Sequence, residues 1–214
     1  MPQLEAILLR IPGFLLAISI HEYAHARIAF ELGDDTAERE GRMTLEPWAH
    51  FDLVGAIMLL FFRFGWARPV PVNPYRFRNP RKGMALVSLA GPAANMIAAF
   101  VLQVLTILLF TRIRFTGSPW IHLPRVLEQA AWINAGLGFF NLIPIPPLDG
   151  SKIVSVLLPY SLQDLWDQFE QYGFLVLIVL LYSGLSSKVL WPLVTGFMQW
   201  VQNVGIYLSL LVFR

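Results

Sequence analysis

Two histidines and a glutamate stand close together in SIHEYAHARI, residues 19–28, inside an otherwise apolar run. On a helix, His21 and His25 are four residues apart and therefore project from one face, one turn from each other. Glu22 lies beside that face. Two imidazoles at this spacing can bind one Zn²⁺ while the neighbouring carboxylate reaches a water molecule at the metal. The spacing therefore predicts half of a metal site, with Glu22 as its general base.

The alternative is that these polar residues mark the end of a membrane helix, where they reach the aqueous interface. A charged side chain at the centre of such a helix costs about 2.5–3.5 kcal/mol, so ionisable residues within membrane segments are rare and usually functional. The apolar surroundings of His21 to His25 therefore favour the metal site.

A catalytic zinc site needs a third protein ligand, and the chain has no cysteine to supply it. Glu46 lies at a distance that would suit the downstream glutamate of a zinc protease. It stands in a polar loop beside Pro47, however, where a solvated carboxylate is the favoured interpretation. His50 and His122 are isolated loop histidines, and for both a structural or solvent-facing role is favoured over metal binding.

Asp149 is the strongest candidate for the third ligand. It is the only acidic residue between Glu128 and Asp164, in an apolar segment that NLIPIPPLDG, residues 141–150, interrupts. Non-helical backbone at membrane depth is tolerated only where protein buries it or water reaches it, so the interruption predicts a polar cavity. The alternative is a DG turn that ends a helix at the interface. Because HEYAH elsewhere in the chain already supplies two candidate ligands, a ligand role for Asp149 is favoured over a simple turn.

The composition is that of a membrane protein. Of the 214 residues, 56% are hydrophobic and 14% are charged, whereas soluble domains have about 25% charged residues. The net charge of +2 is too small to indicate a nucleic-acid partner. Glu5 precedes the first apolar run and no basic leader is present, so we expect a retained membrane span and no cleaved signal peptide.

Apolar runs of about 20 residues predict transmembrane helices, and we expect one all-α, polytopic membrane domain over residues 1–214. Four runs are long or apolar enough to count as membrane segments, and a fifth is left open. The predicted parts are an HExxH span (4–30), a loop (31–82), a GPxxN span (84–110), an LDG span (130–158) and C-terminal segments (172–213).

The loop contains two segments of its own. Leu53 to Phe62 is apolar but too short to cross a bilayer, so we expect it to be re-entrant, interfacial or buried. FGWARPVPVNP, residues 64–74, predicts an extended segment or edge strand. Nine of the sixteen Lys and Arg residues lie within Arg27–Lys82, which predicts that this side of the molecule, and the site with it, faces the cytoplasm.

Three motifs together resemble the site-2 protease family of intramembrane zinc metallopeptidases: HEYAH, GPAAN (residues 91–95) and NLIPIPPLDG. The loop phrases GRMTLEPWAHFD and FGWARPVPVNP are similar to those of its small prokaryotic branch. The resemblance covers residues 7–184. Glu46 stands where asparagine is expected in the first loop phrase.

The resemblance implies a helical bundle that hydrolyses peptide bonds in or next to transmembrane segments of substrate proteins. It implies one Zn²⁺ per chain, and it places the protein in the prokaryotic cell membrane. The expected partners are a transmembrane protein substrate and the lipid bilayer, with no nucleic acid. A homo-oligomer or a regulatory partner stays open. The implied zinc ligands are His21, His25 and Asp149, the implied base is Glu22, and the implied substrate or transition-state contacts are Asn95 and Asn141.

Val70 and Val72 are candidate substrate contacts on different grounds. Pro69 and Pro71 have no N–H, whereas the two valines keep theirs, so one side of an extended segment could pair with an added peptide. Equally, the prolines could serve only to protect a strand edge from aggregation. Two other functions stay open for the whole chain: a membrane scaffold or chaperone of the same fold, and, less favoured because no internal repeat is visible, a metal transporter.

Overall fold

The computed structural model describes residues 2–55, 58, 65–112 and 122–212, and these residues form α-helices, short 3₁₀ turns and connecting loops. Three long helices make the centre of the molecule. They are α1 (Pro2–Glu31), α3 (Pro80–Arg112) and α4 (Leu123–Asn141), and each packs against the other two. Small side chains line these interfaces, since Ala17, Ala99 and Ala131 are fully buried. Small residues let helix backbones approach closely, which is typical of helices that associate in lipid.

The remaining helices surround this centre. The short α2 (Thr36–Arg39) follows α1, and α5 (Asp149–Leu157) packs on α3. The last two, α6 (Gln163–Tyr182) and α7 (Leu185–Val212), form a pair in which α7 packs on α3 and α4. Large apolar side chains stay exposed on the outer faces of α3, α6 and α7, among them Ile97, Phe110, Leu175, Val179, Leu210 and Leu211.

The predicted LDG span consists of two helices. α4 ends at Asn141, residues 142–148 form turns around the cis Pro146–Pro147 bond, and α5 begins at Asp149. Arg81, near the start of α3, holds the far end of α5 in place, because its guanidinium donates to the carbonyls of Ser155 and Leu158. These bonds join α5 to α3 at the end of α5 opposite Asp149.

The segment predicted to be extended or an edge strand, residues 64–74, forms no strand in the part that the structure describes. The described residues contain no β-strand, and residues 65–73 form neither helix nor strand. Side chains take the place of a neighbouring strand: the N–H of Val70 donates to Glu22 and the N–H of Asn73 donates to Asp34. The predicted re-entrant or interfacial run, residues 53–62, lies largely outside the described residues.

One described helical stretch, Pro80–Phe110, is by itself long and apolar enough to cross a membrane. The segments Tyr160–Tyr182 and Ser187–Leu211 meet the same criterion only when they are taken together, and they meet at an angle of 78°. The prediction of four or five membrane segments therefore stays a prediction.

Candidate metal centre

Three ligand atoms from two distant helices converge on one point. The Nε2 atoms of His21 and His25 lie 3.0 Å apart, and they are 3.0 and 3.2 Å from Oδ2 of Asp149. The histidines come from one face of α1, and Asp149 is the first residue of α5. These three side chains form the one group in the described part of the chain that could hold a metal ion.

The tautomer of His25 is set by a backbone carbonyl. Its Nδ1 lies 2.7 Å from the carbonyl oxygen of Val87 on α3. A carbonyl oxygen can only accept, so Nδ1 carries the proton and donates it to this bond. In the neutral ring, Nε2 then carries no proton, and its lone pair is directed at Asp149.

His21 is held in the same tautomer by an amide. Its Nδ1 lies 2.7 Å from Oδ1 of Asn95. The Nδ2 group of Asn95 donates to the carbonyl of Ala17 at 2.9 Å and to Oδ1 of Asn134 at 2.9 Å. Since the amide nitrogen faces these two acceptors, its oxygen must face His21, and Nδ1 of His21 is the donor.

The site therefore brings together two imidazole lone pairs and a carboxylate oxygen. Oδ2 of Asp149 is buried and has no hydrogen-bond partner among the described residues. Three electron-rich atoms in contact repel one another unless a cation lies among them. Tetrahedral zinc with bonds of about 2.0–2.1 Å holds its ligands about 3.3 Å apart, close to the separations observed. Two imidazoles and one carboxylate are also a ligand set of catalytic zinc, so the residues present fit this ion.

The carboxylate of Glu22 lies beside this cluster and is held by the loop. Its Oε2 accepts a 2.8 Å hydrogen bond from the N–H of Val70.

The guanidinium of Arg42 holds the backbone just before Val70, because Nη2 donates to the carbonyls of Arg68 and Pro69. Burial, and then the charge of Arg68, lower the pKa of Arg42 from its ordinary value. An arginine stays protonated throughout the physiological range despite such a shift.

Two glycines allow the helices to approach the cluster. A Cβ atom at Gly91, the first residue of GPAAN, would lie 2.6 Å from Nε2 of His25 and 2.7 Å from Cε1 of His21. A Cβ at Gly150 would lie 2.3 Å from the carbonyl oxygen of Leu142. Gly91 thus lets α3 cover the imidazoles, and Gly150 lets the first turn of α5 lie against the end of α4.

A cavity of about 580 Å³ opens beside the cluster. Its wall is mainly apolar with a few polar groups, which is typical of ligand-binding pockets. Of the candidate substrate contacts, Asn141, Val70 and Val72 line this cavity. Val70 has its N–H engaged by Glu22, so pairing of that group with an added peptide would require the bond to Glu22 to break.

Asn95 has different surroundings from those expected of a substrate contact. It is fully buried behind His21, with hydrogen bonds at both ends of its amide. Its contacts make it a support for an imidazole. The three remaining candidate ligands lie outside the metal cluster: Glu46 and His122 are exposed, and the buried His50 bonds the carbonyl of Thr44.

Sequence reasoning missed four residues that this geometry brings forward: Arg42, Val87, Gly91 and Asn134. A signal existed for two of them. Gly91 belongs to the GPAAN motif, and Asn134 is an amide within the apolar stretch between Gln129 and Asn141. Arg42 was one of many loop cations, and Val87 contributes only its backbone carbonyl, which no residue type reveals.

Comparison with known proteins agrees with this geometry. Residues 113–184 match the model of "Peptidase family M50". The chain is 41% identical over 186 residues to "Putative zinc metalloprotease YwhC" of Bacillus subtilis, which covers 85% of this chain and 84% of the relative. It is 30% identical over 207 residues to "Putative zinc metalloprotease Rip2" of Mycolicibacterium smegmatis, covering 94% and 76%.

A third similarity is shorter. "Zinc metalloprotease MJ0392" of Methanocaldococcus jannaschii is 30% identical over 131 residues, which is 55% of this chain and 33% of that protein. No solved structure gives a significant match.

Proposed function

Because the chain belongs to peptidase family M50, we propose that it is an intramembrane zinc endopeptidase. Its substrates would be membrane proteins, cut at peptide bonds within or next to a transmembrane segment. One Zn²⁺ per chain would be held by His21, His25 and Asp149. The observation that carries this proposal is the convergence of their three lone-pair atoms within 3.2 Å, with the carboxylate of Glu22 alongside.

Zinc, when bound, supplies a Lewis acid that polarises a carbonyl group and makes water more acidic. The chain's own residues do the remaining work. Glu22 is the general base: Oε2 is held by Val70, which leaves Oε1 to take a proton from the attacking water and pass it to the leaving amine. Asn141 lines the cavity and is the residue we assign to substrate or transition-state contact.

The fold supports a membrane location. Pro80–Phe110 is apolar enough to span a bilayer, and large apolar side chains cover the outer faces of α3, α6 and α7. Exposed apolar surface of this kind is stable in lipid and prone to association in water. We propose a multi-pass protein of the prokaryotic cell membrane. The positive charge of the segment after α1 supports an active site that faces the cytoplasm.

Two other functions compete with proteolysis. A scaffold or chaperone would not need Glu22 beside the ligand atoms, yet this carboxylate is buried and its position is fixed by a hydrogen bond. A metal transporter would need a path across the bundle with ligands along it. The described residues contain a single cluster able to hold a metal. Both observations favour the protease.

The test compares zinc content with cleavage of a model transmembrane substrate for the purified full-length chain in detergent. We expect the wild type to bind about one zinc and to cut. Glu22→Gln should keep the metal without cutting, since it loses only the base. Asp149→Ala should lose metal affinity. Cleavage by Glu22→Gln at the wild-type rate, or absence of zinc from the wild type, would overturn the proposal.

A further inference from the structure

The amide of Asn134 lies at the centre of the bundle and is fully buried. Its Nδ2 group donates to the carbonyl of Ala130, one turn earlier on α4, at 2.8 Å. That bond turns its Oδ1 toward Asn95, whose Nδ2 donates to it at 2.9 Å. Asn134 contacts neither a ligand atom nor the wall of the cavity. A buried amide is costly unless it has a partner. One partner of Asn134 is Asn95, the residue that supports His21.

We propose that Asn134 is a positioning residue for the metal centre: it fixes the orientation of the Asn95 amide, and through it the tautomer and ring position of His21. The inference rests on the proposed zinc site. The connection runs through three side chains on three helices, α4, α3 and α1, with hydrogen bonds of 2.9 and 2.7 Å.

The Asn95 amide has two possible orientations, and only one suits a metal. In the observed orientation Oδ1 accepts the proton of Nδ1, and Nε2 of His21 stays bare. Reversal of the amide would direct its NH₂ group at Nδ1, which would then have to accept. Nε2 would carry the proton instead, and its N–H would point at His25 and Asp149, where the metal must bind.

Asn134 and Ala17 together select the observed orientation. Each offers only an oxygen to Asn95, so reversal would place the Asn95 oxygen against two acceptors. If the Asn134 oxygen is lost, the carbonyl oxygen of Ala17 is the one remaining acceptor for the two N–H groups of the Asn95 amide. The bias toward the metal-ready tautomer is thereby weakened. Partners that orient a metal-binding histidine in this way typically contribute about 10–100-fold in metal affinity.

Thr106 on α3 provides a control outside the site. Its buried hydroxyl donates to the carbonyl of Leu102, also four residues earlier, at 2.8 Å. Asn134 and Thr106 therefore each bond the carbonyl one turn earlier, but only Asn134 reaches Asn95. The substitution Asn134→Ser separates the two contacts of Asn134 further. A serine hydroxyl can bond the carbonyl four residues earlier, as Ser19 does with Leu15, but it is too short to reach Asn95.

The experiment measures the zinc dissociation constant of the full-length chain in detergent by competition with a chromophoric chelator. We expect Asn134→Ala and Asn134→Ser each to weaken zinc binding by about 10–100-fold. Thr106→Ala, which removes a buried bond far from the cluster's supports, should leave the zinc affinity unchanged. Thermal unfolding of the metal-free proteins reports whether each variant folds. If Asn134→Ala does not fold, Asn134→Ser is used to measure the effect on zinc affinity.

A double-mutant cycle then distinguishes positioning from general packing. If Asn134 acts through Asn95, Asn134→Ser added to Asn95→Ala should cause no further loss of zinc affinity, because the link is already broken. Additive losses, or wild-type affinity in folded Asn134→Ser, would overturn the inference. A wild type that binds no zinc would instead refute the proposed function, so the two failures are distinguishable.

Discussion

The backbone N–H of Val70 donates a 2.8 Å hydrogen bond to Oε2 of Glu22, joining residues that are 48 positions apart. The carboxylate proposed as general base is therefore oriented by the loop and not by its own helix. Oriented bases transfer protons efficiently because the reacting geometry is established before the substrate binds.

Val70→Pro removes this N–H and keeps an apolar side chain in place. We expect the cleavage rate to fall by about 10–100-fold, since a hydrogen bond to a charged group contributes about 1.5–3 kcal/mol. Zinc content should be unchanged, because no ligand is touched. Val70→Thr, which keeps the N–H and the shape of the side chain, is the control and should cut nearly normally. Equal activity of the proline and threonine variants would show that the bond to Glu22 is unimportant.

Arg42 contributes indirectly to the position of Glu22, because it holds the backbone next to Val70. Its guanidinium is buried and holds the carbonyls of Arg68 and Pro69, immediately before the N–H that Glu22 accepts. We expect Arg42→Gln to lower the cleavage rate at saturating substrate by about tenfold, through loss of hydrogen bonds from a charged donor, with zinc affinity intact.

The control for Arg42 is Arg39, which ends α2 three residues earlier. The exposed side chain of Arg39 forms an ion pair with the partly buried Asp35, and ion pairs that water reaches contribute little. Arg39→Gln should therefore cut as the wild type does. If both arginine variants lose activity equally, the effect belongs to the charge of the loop and not to the backbone contacts of Arg42.

Gly91 tests how closely α3 must approach the imidazoles. A methyl group there would lie 2.6 Å from Nε2 of His25, so the ring or the helix must move. We expect Gly91→Ala to weaken zinc binding by at least about tenfold, comparable to the loss of a group that orients a ligand. Gly196→Ala is the control: a Cβ there meets nothing within 4 Å, and the change favours helix. Zinc affinity in Gly91→Ala equal to that in Gly196→Ala would contradict the prediction.

The cluster of His21, His25 and Asp149 could be predicted from the sequence because its signals are local. A four-residue spacing places two histidines on one helix face, and a single acid beside a proline-rich interruption stands out in an apolar chain. The structure brings these three together at 3.0–3.2 Å.

The supports of the cluster could not be predicted in the same way. The resemblance implies a substrate or transition-state contact for Asn95, whereas its amide faces His21 in the fold, because the rotation of α3 about its axis depends on packing against α1 and α4. Residues 64–74 have strand-like composition, but a strand requires a neighbouring strand. Here carboxylates on α1 and the turn after it accept the hydrogen bonds of Val70 and Asn73 instead. Such contacts exist only in the folded chain.

Zinc should stabilise the fold, because the ligand set joins two helices with little other contact. His21 and His25 lie on α1, whereas Asp149 begins α5, which packs mainly on α3. A ligand that binds only the folded state stabilises it by about 2.7 kcal/mol at 100 times its Kd and by about 4.1 kcal/mol at 1,000 times. We expect the Tm of the full-length chain in detergent to rise with zinc and to fall with chelator. Asp149→Asn keeps the size of the side chain, weakens the ligand and should abolish the zinc-dependent shift. A shift in Asp149→Asn as large as that of the wild type would place the stabilising zinc elsewhere on the molecule.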